Sequence, residues 1–234
     1  MITSQLNESQ FLNKISCLFQ LMKVLVFIRG LFLFNKSLHH QRISKKLGKI
    51  ITIPLNLLLM EIGSNLFKFS LKGTNNRTYN NFTFADRTAL VIVITCNHCP
   101  YARAYWSRLI KLYNKFEEDN LGILAINAND AEAYPADSFD AMRDLQKQLK
   151  LPFPYLHDET QKVTKKLKAT RTPEVFVYNS KRKLVYKGAI DDNWENEEMV
   201  TRVFLEDAIE YTLDGMEPDY AEITAVGCSK KKKK

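Results

Sequence analysis

Apolar residues fall into three spacings along this chain. Unbroken apolar runs at 88–95 and 122–128 read as strands covered on both faces, as at the centre of a sheet lined by helices. Helical spacing follows each run: Tyr105, Leu109, Leu112 and Phe116 predict one helix, and Met142, Leu145 and Leu149 a second with Ser138 as its N-cap. Pro152 and Pro154 stop the second helix and lead into a short extended piece at 155–156. Shorter segments predict two hairpins, 67–71 with 79–84 around a Gly73-Thr74-Asn75-Asn76 turn, and 175–178 with 184–187 around 179–183. Asp158 or Thr160 opens a short helix ending at Leu167, and 197–213 reads as a last amphipathic helix stopped by Asp214-Gly215. The order β-β-β-α-β-α-α-β-β-α predicts an α/β fold, a central mixed sheet flanked by helices.

That pattern begins only at Met60. Residues 15–34 are nearly long enough and apolar enough to span a bilayer, but Lys23 and Arg29 sit inside, each costing about 2.5–3.5 kcal/mol on insertion. Three readings stay open for the basic, apolar extension 1–59: an interfacial anchor in weak contact with a membrane surface, a true span, or a poorly ordered extension. The third includes a translation start at Met60. The expected organisation is therefore 1–59 as extension, 60–217 as the folded domain, and 218–234 as a C-terminal tail with Cys228 and a lysine run. The formal net charge of +8 belongs to the ends. Residues 1–59 carry +7 and Lys230–Lys234 +5, whereas the stretch between them is at −4. A nucleic-acid-binding domain wants its basic face on the folded part, so that class is set aside. The lysine run is expected to be a solvated tail, and the acidic run 191–198 to cap the last helix and pack Trp194.

The first buried run leads into Cys96-Asn97-His98-Cys99-Pro100, with the first helix following at once. A helix N-terminus carries roughly half a positive charge and unpaired N–H groups, so it favours a thiolate, the nucleophilic form. This placement predicts a reactive Cys96, with Cys99 on the same side to attack a mixed disulfide formed at Cys96. The rival reading of C-x-x-C is half of a zinc site, which needs two more ligands. Cys17, Cys228, His39, His40 and His157 are single or remote, and His98 is expected to point away from any shared tetrahedron. As an imidazolium, His98 is expected to stabilise the Cys96 thiolate. Far along the chain, Thr172-Pro173 enters the strand at 175–178; proline there removes a ladder bond. A cis Thr172–Pro173 bond would turn the backbone toward the dithiol and offer peptide groups to an extended substrate.

C-N-H-C after a buried strand, Thr-Pro entering a later hairpin, and Lys187-Gly188 resemble the thioredoxin fold. CNHCPYARAYWSRL is similar to redoxin-domain proteins related to thioredoxins and to the alkyl hydroperoxide reductase/thiol-specific antioxidant group. Ile62-Gly63-Ser64, Phe69-Ser70-Leu71, 188–193 and Val226-Gly227-Cys228-Ser229 fit the same branch, over roughly 60–229. The resemblance implies Cys96 as attacking thiol, Cys99 as resolving thiol and Pro173 as the cis-proline. Arg171, Thr172 and Asn97 are the residues expected to touch substrate. Three departures stand out. Asn65-Leu66 replaces the branch's early proline, lysines replace its tail tryptophan, and the strand before the dithiol lacks an acid to take a proton.

The expected activity is thiol–disulfide exchange with protein or small disulfides and thiols, served by an unidentified reductase or oxidase. No metal or organic cofactor is called for. A peroxidatic cysteine of the peroxiredoxin kind wants threonine three residues earlier and proline seven earlier; Val93 and Ala89 stand there. Peroxidase activity is nevertheless the first alternative, and a non-catalytic binding module of the same fold the second. Cys228 is read as an exposed thiol, with resolution of a Cys96 disulfide as its other role. The expected compartment is cytoplasmic, membrane association through 1–59 being the alternative.

Overall fold

The computed structural model describes residues 61–231 and 233. The expectations for 1–59 lie outside these residues. At the sheet centre, β3 (Ala89–Thr95) and β4 (Leu121–Asn127) pair in parallel, and every residue of both is buried. Alternation along them divides the core in two. Ala89, Val91, Val93, Leu121, Ile123 and Ala125 face one layer, and Leu90, Ile92, Ile94, Leu124 and Ile126 face the other. Tyr105, Trp106, Leu109 and Leu112 of α1 (Pro100–Lys115) fill the first layer, each worth about 1.5–3 kcal/mol when fully buried. Met142 of α2 (Phe139–Leu149) and Leu205 and Ile209 of α4 (Phe204–Leu213) join them. Val163 and Leu167 of α3 (Lys162–Leu167) close the second layer.

The eight-stranded sheet runs β2 (Thr78–Asn80), β1 (Ser70–Gly73), β5 (Tyr155–His157), β4, β3, β7 (Glu174–Tyr178), β8 (Leu184–Gly188), β9 (Glu222–Ile223). The β3–β4, β4–β5 and β8–β9 pairs are parallel and the others antiparallel. A separate two-stranded ladder joins β6 (Arg171–Thr172) to β10 (Cys228–Ser229). This is the expected thioredoxin-like fold, a mixed central sheet flanked by helices. No described helix is long and apolar enough to cross a membrane.

The departures are local. β6, β9 and β10 are two residues each, too short to show a period. The expected last helix is broken: Glu197–Met199 is a 3₁₀ turn capped by Asn196, and the α-helix begins only at Phe204. Asp192 explains the break, because its carboxylate accepts from the Thr201 N–H at 3.0 Å and hydroxyl at 2.5 Å, local bonds that compete with a helix. The acidic run has other work than capping. Asp191 accepts from Tyr105 and Arg108, 2.6 Å each, and Trp194 lies 4.1 Å from the Tyr101 ring.

Gly188 holds the edge of the sheet. Its φ is +134°, and a Cβ there would lie 1.7 Å from the Ile223 carbonyl oxygen. Gly188→Ala is expected to cost at least about 2 kcal/mol in urea unfolding, because β9 has to detach. An unchanged midpoint would show that β9 contributes nothing to the fold.

Candidate active site

β3 ends at Thr95 and α1 begins at Pro100, so the two cysteines lie on the connection between strand and helix. Cys99 is the N-cap, and Pro100 takes the first helical position, where its missing N–H would have had no partner. Both cysteines are fully buried and form a small cluster with Ala102, against which Tyr101 and Cys228 pack.

The helix end reaches both sulfurs, the Cys99 N–H drawing Cys96 down and the Ala102 N–H drawing Cys99 down. Cys99 is pulled well below the ordinary thiol value, first by the Cys96 S–H that donates to it, then by the Cys228 thiol and the Ala102 and Cys228 amides, against the effect of burial. Cys96 is pushed far up, first because it is the donor in that bond, then by burial and by the nearby Asp137 charge. The Thr172 carbonyl, 3.4 Å from Cys99 Sγ, opposes this order by favouring an S–H there. The direction for Cys99 is downward first because Cys96 donates to it, with the Ala102 amide a smaller contribution, while Cys96 also faces the Asp137 carboxylate.

That carboxylate is the residue sequence reasoning missed. Asp137 closes a 3₁₀ turn, Pro135–Asp137, and is fully buried. It accepts from the Asn97 N–H at 2.7 Å, Asn129 Nδ2 at 2.9 Å and Asn127 Nδ2 at 3.3 Å, and holds His98 Nδ1 at 2.5 Å. The only sequence signal was its place before the Ser138 N-cap, which marks a helix start and no chemistry. His98 is therefore bound to Asp137 and stacked on Tyr134, with ring centroids 5.2 Å apart, instead of serving Cys96 directly. Nor does it point away from a shared centre: ligand atoms of Cys96, His98 and Asp137 lie within 4.8 Å of one another. An ion there would have to break the His98–Asp137 contact and compete with three N–H donors for the carboxylate.

Thr172–Pro173 is cis, as the sequence suggested. Thr172 is buried over the pair, with its hydroxyl 3.8 Å from Cys96 Sγ. Arg171 turns elsewhere, toward the Gly227 carbonyl at 3.5 Å and the Ser229 hydroxyl at 3.3 Å. The Asn97 side chain bonds the Ala136 carbonyl at 2.8 Å and the Tyr155 hydroxyl at 2.9 Å, so it positions the loop.

The C-terminal tail departs most from expectation. Cys228 pairs with Thr172 and is half-buried. Beyond it, the Lys231 N–H donates to Asn129 Oδ1 at 3.0 Å, the Lys231 carbonyl accepts from Gln161 Nε2 at 2.8 Å, and the Lys231 ammonium lies 5.3 Å from the centre of the Tyr134 ring. Periodicity reads such a run as solvated. Main-chain bonds, which carry no sequence signature, dock Lys231 on the site's rim.

Compared with known proteins, residues 62–187 match the AhpC/TSA family. The chain belongs to that family. An uncharacterized conserved protein from Geobacillus kaustophilus is 32% identical, with a TM-score of 0.71 over 75% of this chain and 94% of its own. A hypothetical protein from Sinorhizobium meliloti 1021 is 30% identical, with a TM-score of 0.69 over 73% and 94%. No curated protein matches. As an AhpC/TSA protein the chain is a redoxin-type oxidoreductase, of the thiol–disulfide or the peroxiredoxin-like kind.

Proposed function

We propose that this AhpC/TSA protein is a thiol–disulfide oxidoreductase whose redox centre is the Cys96–Cys99 pair. The observation that carries this reading is geometric: two buried cysteines cluster on the connection between β3 and α1, and both sulfurs lie against Thr172, Cys96 at 3.8 Å from its hydroxyl and Cys99 at 3.4 Å from its carbonyl. One sulfur attacks a substrate disulfide, forming a mixed disulfide and releasing one thiol. The second sulfur then displaces the other thiol and closes the Cys96–Cys99 bond, so that two electrons pass to the substrate. The resemblance gives the first step to Cys96 and the second to Cys99. Asp137 is a buried base within 4.8 Å of the Cys96 sulfur, placed to take its proton. Substrates are protein or low-molecular-weight disulfides. No observation favours the peroxidase reading, since Val93 and Ala89 are fully buried apolar residues of β3 where that pocket wants threonine and proline.

The test is alkylation-trapped mass spectrometry of the full chain, carrying Cys17→Ser and Cys228→Ser, across a glutathione redox series. Cys96 and Cys99 are expected to titrate together as one two-electron couple. A pair that never closes, or that binds zinc instead, would overturn the assignment.

A further inference from the structure

The dithiol is sealed. Cys96 and Cys99 expose no surface, and of the three described cysteines only Cys228 reaches solvent. Its thiol is within hydrogen-bond reach of Cys99, and it packs on the Cys96–Cys99–Ala102 cluster. The approach is built into the backbone. Cys228 faces Thr172 in an antiparallel ladder, the Thr172 hydroxyl donates to the Cys228 carbonyl at 3.4 Å, and the Lys230 N–H donates to the Thr170 carbonyl at 3.2 Å. Gly227 is required for this, because a Cβ there would lie 2.3 Å from the Thr172 carbonyl oxygen. The tail thus fills the place beside Thr172 where an extended substrate would lie, and presents a sulfur there.

We propose that Cys228 is a third redox thiol, which attacks Cys99 in the Cys96–Cys99 disulfide and carries the bond outward to where an external thiol can reach it. The inference rests on the reading of Cys96–Cys99 as the redox couple. In the first step the Cys228 thiolate forms the Cys99–Cys228 bond, the Cys96–Cys99 bond breaks, and Cys96 leaves as thiolate and takes up the proton that Cys228 gave up. No electrons are gained or lost. In the second step an external thiolate, of glutathione type or on a protein, attacks the half-buried Cys228 sulfur and Cys99 leaves. A second external thiol then releases Cys228, so two thiols are oxidised to one disulfide and the protein is reduced by two electrons. A thiol that ionises easily is the better leaving group, which favours departure of Cys99 in the second step, where the Cys96 thiol formed in the first can donate to it. Cys228 is pushed up by burial first and then by the Cys99 sulfur and its charge. Those last two effects vanish once Cys99 is in a disulfide, so Cys228 ionises more readily in the state in which it is needed.

Two experiments on the full chain with Cys17→Ser test the relay. In Cys96→Ser, one equivalent of oxidised glutathione is expected to give the Cys99–Cys228 disulfide as the main product by mass spectrometry. Separate glutathione adducts on the two cysteines would overturn the proposal. Adding Gly227→Val, which alters no thiol, is expected to cut the yield of that disulfide by about tenfold or more, as effective concentration is lost. An undiminished yield would count against it. The second experiment is the rate at which reduced glutathione opens the oxidised pair, expected to fall about tenfold or more in Cys228→Ser. An unchanged or faster rate would mean that the tail only covers the site, and would overturn the relay. Failure of Cys96–Cys99 to close at all in Cys228→Ser strikes the redox-couple reading itself. A normal couple with an unchanged opening rate strikes the relay alone.

Discussion

Cys99→Ser is expected to lower turnover of a peptide disulfide by at least ~10³-fold while leaving the fold intact. The substitution exchanges sulfur for oxygen in a cluster of three side chains and leaves the two core layers untouched. What it removes is the second sulfur, without which, in a Cys228→Ser background, a mixed disulfide at Cys96 has no internal partner to displace it. It also removes the thiol that is drawn down in the reduced pair, first by the Cys96 S–H that donates to it. The same variant is therefore expected to accumulate a substrate adduct on Cys96, read directly as added mass that dithiothreitol releases. Full turnover in Cys99→Ser would show that the pair is not the redox centre. Undiminished peptide binding after loss of both cysteines would favour the non-catalytic module.

Asp137→Ala is expected to destabilise the protein by about 3–5 kcal/mol, because it leaves three N–H donors and the His98 ring facing a vacated buried site. Asp137→Asn is the more telling variant, since it keeps the shape and one acceptor oxygen while removing the charge. The Asp137 charge pushes the Cys96 thiol up, so its removal brings that value down. In Asp137→Asn the onset of Cys96 alkylation by iodoacetamide is expected to move to lower pH. A role confined to holding the loop would change the urea midpoint and leave the alkylation profile in place. A profile that stays fixed or moves to higher pH would remove Asp137 from the proton path.

Much of this was legible in local pattern. The apolar runs became β3 and β4 because a strand buried on both faces is apolar along nearly all its length, only the terminal Thr95 and Asn127 being polar, and that needs no knowledge of the partner. α1 was visible in its 3.6-residue spacing, and Ser138 is the N-cap of α2, accepting from the Ala141 N–H. The dithiol spacing and the Thr172-Pro173 pair are also local features, and each was marked before the fold was known. The order in which the sulfurs ionise was not. It depends first on which sulfur donates to the other and then on which faces Asp137, and those contacts are set by how a loop and a 3₁₀ turn pack. Asp137, Thr172 and Cys228 come from three distant segments, and only the folded sheet brings them to the end of β3. The tail was the hardest element to foresee. Its docking is made largely of main-chain hydrogen bonds and the absent side chain of Gly227, and neither leaves a hydrophobic period for a sequence to show.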